Sequence, residues 1–227
     1  MGRELTHRKL KKEALALLRS VDFAAALERL CAHPPRQIVN PLFGLLYHDE
    51  PLVRWRAVSA MGAVVSRLAQ KEIESARVIM RRFMWNLNDE SGGIGWGSPE
   101  SLGEIMARNR QLADEFGCLL VSYADPEGNF LEHPVLQRGV LWGWGRLARK
   151  RPEIFQPSAP LLIPYLSCMD YHLMGLAAWA AAPLRRDDLK DPVRQLADRT
   201  EEIVLYEDYQ LKIRTVGQLA KETLALG

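Results

Sequence analysis

The sequence predicts an all-α fold with one small β-hairpin near its C-terminus, and three observations carry that reading. Apolar residues recur every three to four positions through almost the whole chain, the spacing of helices that bury one face. Only the stretch 203–213 departs from it, with β-branched and aromatic residues on either side of a polar turn. Of 227 residues, 48% are apolar and 26% charged, with 16 Gly and 13 Pro, a balance that supports a substantial core and excludes a disordered or collagen-like chain.

The helices follow in order. Phe23, Ala26, Leu27 and Leu30 form one stripe behind Asp22 as N-cap, and His33-Pro34-Pro35 stops that helix. A short helix is expected through Leu42, Leu45 and Leu46, capped by Asn40 with Pro41 as its first residue. Pro51 then opens a longer helix with Val53, Ala57, Ala60, Met61, Val64 and Leu68 on one face, completing an αα-hairpin. Ile73, Ala76, Met80, Phe83 and Leu87 mark the next helix. Leu102, Ile105, Met106, Asn109 and Leu112 mark another after a glycine-rich stretch. Near the end, 203–206 and 210–213 flank Glu207-Asp208-Tyr209 as a hairpin, and Thr215 with Gln218 forms a capping box for a last helix through Leu219, Ala220 and Leu224.

The segment Asp49-Glu50-Pro51-Leu52-Val53-Arg54-Trp55-Arg56-Ala57-Val58-Ser59-Ala60-Met61-Gly62 resembles the second helix of a HEAT repeat, with its Asp turn, Val-Arg and spaced small residues. Shifting that template by 83 places Leu136, Gln137, Val140, Gly143, Trp144 and Gly145 on it, and a further 37 places Leu173, Met174, Ala177, Ala180, Ala181 and Ala182 there. These steps fit two repeats and one repeat of the ~40-residue period of HEAT and armadillo arrays. Small residues at such positions let stacked helices approach closely. The resemblance implies a HEAT-like α-α superhelix, a right-handed solenoid of four to five hairpins similar to uncharacterised bacterial HEAT-repeat proteins. It also implies one domain over 1–227, with an N-terminal helical cap at 1–35, repeats at 36–185 carrying a glycine-rich insertion at 88–98, and a C-terminal cap at 186–227.

Chemistry is most concentrated around that insertion. Four of the 16 glycines lie within 92–97, where close backbone approach or positive φ is needed. Ser98-Pro99 reads as an N-cap and first-residue pair, and Ser101 with Glu104 as an alternative capping box. The residues Trp85, Asn88, Asp89, Glu90, Gly93, Trp96, Glu100 and Glu104 form a candidate ligand or partner loop. Its carboxylates oppose phosphate and suit a cation, metal or amine between Trp85 and Trp96. The other reading has the loop folding over the repeats with Trp96 in the core.

On the implied concave face, Arg54, Trp55, Arg56, Arg138 and Trp142 are candidates, Trp55 and Trp142 being expected exposed and Trp144 and Trp179 core. That groove resembles, in architecture alone, the HEAT-like glycosylases acting on alkylated DNA bases, with Trp55, Trp142, Glu104 and Arg56 as groove residues. The basic cluster Arg146 to Arg151 sits where cations favour a helix C-terminus. His133 and the other scattered histidines show no metal spacing, and Cys118 reads as a small buried hydrophobe. Thirty Lys and Arg against 28 Asp and Glu leave a charge of +2, too little for a broad nucleic-acid face. Cys31, Cys118 and Cys168 form no CxxC pair, which points to a reducing cytoplasm. The longest uncharged run, 154–169, is broken by three prolines, and Arg19 and Asp22 cut short any signal-type core, so neither membrane anchor nor export is expected. The sequence thus predicts a non-catalytic scaffold for a protein or peptide partner, without cofactor or metal; a DNA-binding or glycosylase-like protein is the alternative.

Overall fold

Helices begin where a capping side chain or a proline permits, and among the described residues the first unit is built from six of them. The computed structural model describes residues 7–88 and 95–226, which fall into two compact units dividing after Asn109. The first holds α1 (His7–Leu18), α2 (Phe23–Ala32), α3 (Pro35–Leu45), α4 (Pro51–Ala69), α5 (Ile73–Asn88) and α6 (Ser98–Arg108). Asp22 caps α2 by accepting from the Ala25 N–H at 3.0 Å, and Pro51 opens α4, both as expected. Most of the 19 residues of α4 are buried, because α3 and α5 cover it on one side while α2 and α6 pack elsewhere along it. At Gly62 an added Cβ would lie 2.4 Å from Glu104 Cγ, so α4 and α6 touch where the sequence places a small residue.

Two boundaries differ from expectation. Helix α3 starts at Pro35, and Pro41 sits within it. Burial of Ile38 and Val39 in the first turns outweighs the single backbone donor that a proline lacks. The periodic run 102–112 is two helices, because Asn109 takes an extended conformation (φ −133°, ψ 115°) between them; asparagine resists helix interiors by competing for backbone hydrogen bonds.

The second unit holds α7 (Arg110–Ser122), α8 (Pro134–Ala148), α9 (Pro152–Phe155), α10 (Ile163–Leu166), α11 (Tyr171–Ala181), α12 (Asp187–Arg194), β1 (Glu202–Glu207), β2 (Gln210–Thr215) and α13 (Val216–Leu226). Helices α8 and α11 lie side by side, with the Gly145 Cα so close that a Cβ would stand 2.4 Å from the Trp179 ring. The strands pair antiparallel with Val204 opposite Ile213, and Asp208 and Tyr209, at φ 50° and 64°, make the tight left-handed turn a two-residue hairpin needs. Ile203 fits against Gly175 of α11. The capping box forms reciprocally: Gln218 N–H donates to Thr215 Oγ1 at 3.1 Å and Thr215 N–H to Gln218 Oε1 at 2.9 Å. Hairpin and last helix therefore exist as read, packed on α11.

Candidate interaction surface

Most residues expected on a concave face are used inside the fold. Arg56 is only 3% exposed; its guanidinium donates to the Leu18 and Ser20 carbonyls at 2.9 and 2.7 Å and lies 4.8 Å from the Phe23 ring centre. It thereby satisfies carbonyls at the end of α1, which have no partner within the helix. Trp142, expected exposed, is 3% exposed. Its Nε1 donates to the Tyr206 carbonyl at 3.1 Å, and its ring stacks on Trp179 with centres 6.3 Å apart. The correction has a plain cause: the β-hairpin folds over α8, and helical periodicity carries no information about that cover.

Trp144 and Trp179 are core residues, as expected. Trp179 donates to Glu207 Oε1 at 3.0 Å. Arg149 lies 3.6 Å over the Trp179 ring and donates to the Gly145 and Trp179 carbonyls, so the basic cluster after α8 includes a helix cap, and burial lowers this guanidinium to about 10. Arg138, half-buried, pairs with Asp170 at 2.7 Å. Burial alone would raise the Asp170 carboxyl; Arg138 and the backbone N–H groups of Leu173 and His172 outweigh it and lower the pKa. Arg54 donates to the His48 carbonyl at 3.2 Å, and Trp55 is half-buried. His133 caps α8 by accepting from the Val135 N–H at 3.2 Å. Cys118 is exposed rather than buried, because α7 turns Leu112, Ala113, Gly117, Leu120 and Val121 inward and Cys118 lies just beyond that face.

Of the loop residues, Asp89, Glu90 and Gly93 lie outside the described residues. Gly95 and Gly97 both have positive φ, 63° and 76°, and a Cβ on Gly95 would stand 2.8 Å from the Asn86 carbonyl oxygen; glycine is demanded there twice over. Gly97, not Ser98, is the N-cap of α6. Ser98 and Ser101 are fully buried and, among the described residues, their hydroxyls lack hydrogen-bond partners, so neither expected serine cap forms. Glu104 pairs with Arg108 at 2.6 Å, and the Ser101 N–H donates to the Gly97 carbonyl at 3.0 Å. Glu100 keeps part of its surface but hides Oε2 without a partner among the described residues, and burial pushes its pKa up to about 7, against a nearby Arg54 charge. The two described carboxylates therefore have separate roles.

Of the candidate loop residues, those left to solvent lie on α5 and just before α6. Trp85 is 72% exposed, Trp96 38%, and Asn88 is exposed. Trp96 thus reaches the surface instead of filling the core. Sequence reasoning missed Val78, 57% exposed, and the exposed Arg82. Positions 75, 78, 82 and 85 fall on one face of a helix. The available signal was the surplus of apolar residues on α5: Val78 and Trp85 lie off the stripe of Ala76, Met80 and Phe83 that the core uses.

No family model matches the chain. An uncharacterised protein of Archaeoglobus fulgidus is 29% identical over 181 residues, covering 78% of this chain and 89% of its own. Among solved structures, an engineered protein is similar at TM-score 0.53 and 15% identity over 95% of both chains. A designed armadillo repeat protein is similar at 0.51 and 18%, covering 96% of this chain and 99% of its own. Computationally designed armadillo repeat proteins for modular peptide recognition are similar at 0.51 and 19%, with the same coverage of 96% and 99%. These likenesses establish the fold: the chain has an armadillo- and HEAT-like helical-repeat architecture with a small C-terminal β-hairpin. Among the described residues no helix is long and apolar enough to cross a membrane.

Proposed function

We propose that the chain is a non-catalytic scaffold that binds a protein or peptide partner. The observation that carries this reading is the exposure of Trp85 at 72%, with Trp96 at 38% a few residues further along. Indole rings left in water at the edge of a conformationally demanding glycine segment are the anchors that interfaces use most. Similarity to repeat proteins designed for peptide recognition supports the same reading, since stacked hairpins create extended surface. The nucleic-acid alternative loses support because Arg56 and Trp142, two residues it needs in an open groove, are both 3% exposed. Three free cysteines support action in a reducing compartment, the cytoplasm.

The test compares the immobilised chain with a Trp85→Ala/Trp96→Ala variant, using lysate of the cells that produce it. The reading expects retained proteins whose recovery drops at least fivefold on the variant. Equal recovery on both would overturn it. Titration with labelled duplex DNA, at low and physiological salt, is expected to show no saturable binding; salt-sensitive binding would put the nucleic-acid alternative first.

A further inference from the structure

Within the first unit, α4 and α6 close tightly through Gly62, whereas α3 and α5, both packed on α4, leave a cleft of about 350 Å3 between them. Val39 of α3, Leu68 of α4 and Val78 and Ile79 of α5 form its apolar walls and floor, and Arg36 and Arg82 stand at its edges. Val78, at 57% exposure, leaves this apolar surface open to water.

The charged residues of the lining itself are both cationic, Arg36 and Arg82, with Glu72 standing beside it on Arg36. No carboxylate belongs to its lining. Arg82 is held in place by the neutral Asn40 Oδ1 at 2.6 Å and lies 3.9 Å over the Phe43 ring; among the described residues it has no carboxylate partner. Among the described residues it is therefore oriented without a carboxylate on it, the arrangement that favours an incoming carboxylate. Arg36 donates to Glu72 at 2.7 Å and to Ser75 Oγ at 3.0 Å, and its side chain is 73% exposed. Beyond Arg82 the same face of α5 continues to the exposed Trp85. Tyr47, 44% exposed, stands close enough to Arg82 for that charge to draw its phenol pKa down against the larger upward push of burial. From Ser75 to Trp85 the face runs three helical turns, about 15 Å. A single small carboxylate would leave Trp85 and much of this length uncovered; a peptide would use all of it.

We propose that the groove between α3 and α5 binds an acidic peptide segment of a partner protein, seating an aliphatic or aromatic side chain against Val39, Leu68, Val78 and Ile79 with flanking carboxylates on Arg82 and Arg36. This rests on the scaffold reading and deepens it, because it places the contact on the first helices of the hairpins rather than the second and states the chemistry of the partner.

The experiment pans a random dodecapeptide phage library against the full chain, then titrates enriched peptides, fluorescein-labelled, by anisotropy. Val78 and Arg82 are exposed, so Val78→Asp and Arg82→Glu are compatible with folding, which circular dichroism and a thermal melt verify. The expected peptides carry Leu, Ile, Phe or Trp beside Asp or Glu. Val78→Asp is expected to weaken them at least tenfold. Arg82→Glu is expected to do the same and to regain binding when the peptide carboxylates are exchanged for Lys. Peptides that bind all three proteins equally would overturn the groove while leaving the scaffold reading intact. Enriched peptides without acidic residues, or no enrichment on the full chain, would also overturn the groove, and the Trp85→Ala/Trp96→Ala capture would then decide the scaffold reading separately.

Discussion

Trp142, Trp144 and Trp179 of the second unit are 3%, 0% and 5% exposed, whereas Trp85 and Trp96 of the first are 72% and 38% exposed. In the second unit, Tyr206 and Glu207 of β1 accept the Trp142 and Trp179 indole N–H groups, so the hairpin supplies both apolar cover and polar partners. Trp144 gains a ring contact with Phe155, centres 4.7 Å apart, but among the described residues its Nε1 has no acceptor, an apolar gain accepted at a polar loss. In the first unit, α5 presents Trp85 on a face that its own core does not require. The difference teaches that a tryptophan on a periodic helix becomes core or contact surface according to what folds over it.

That contrast is easiest to break at Trp142. Trp142→Ala removes a buried indole together with the hydrogen bond it donates to the Tyr206 carbonyl, and a loss of about 3–5 kcal/mol is expected in urea unfolding. A loss near 1 kcal/mol would mean that the hairpin covers α8 only loosely. Arg56→Ala comes next: it strips the Leu18 and Ser20 carbonyls of their donor, at an expected cost of about 2–4 kcal/mol. A neutral result would show that water replaces the guanidinium and that the position belongs to the surface after all.

Glu100 sharpens the comparison through pH. Its pKa is raised to about 7 from 4.5, so the folded chain prefers the neutral acid. The stability this group contributes is fully present below pH 4.5 and is lost as pH rises through 7. Glu100→Gln carries no charge to bury. It is therefore expected to match the wild type at pH 4 and to exceed it by about 1–3 kcal/mol at pH 8. Denaturation curves at the two pH values decide this, and a difference independent of pH would place Oε2 in water. The smallest effect on stability belongs to Trp85→Ala, about 0.5 kcal/mol or less. A larger change in its unfolding midpoint would mean that Trp85 serves the fold and would remove it from the proposed contact surface.

Much of the local structure was legible. Asp22, Pro51, Thr215 and Gln218 act where capping rules place them, and the turn at Asp208 and Tyr209 forms between the expected strands. The small residues of the repeat template also proved to be contact points, Gly62 against Glu104 and Gly145 against Trp179. Less of the candidate site was legible. Gly97 took the cap expected of Ser98, since a left-handed residue before the helix leaves the serine already inside it. Val78 and Arg82 passed unnoticed because a valine and an arginine on an amphipathic helix look ordinary until the neighbouring helix stands apart from them.

What the sequence determined by itself was the helical class, several helix starts, the capping box, the hairpin and places where backbones must approach. All of these depend on residues within a turn or two of one another, or on the absence of a side chain. Only the tertiary structure decided which faces are covered. Trp142 meets Tyr206 across 64 residues of sequence and Arg56 meets Leu18 across 38. Periodicity records that a helix has an apolar face; burial depends on which distant segment arrives there, and in the groove between α3 and α5 an open face remains.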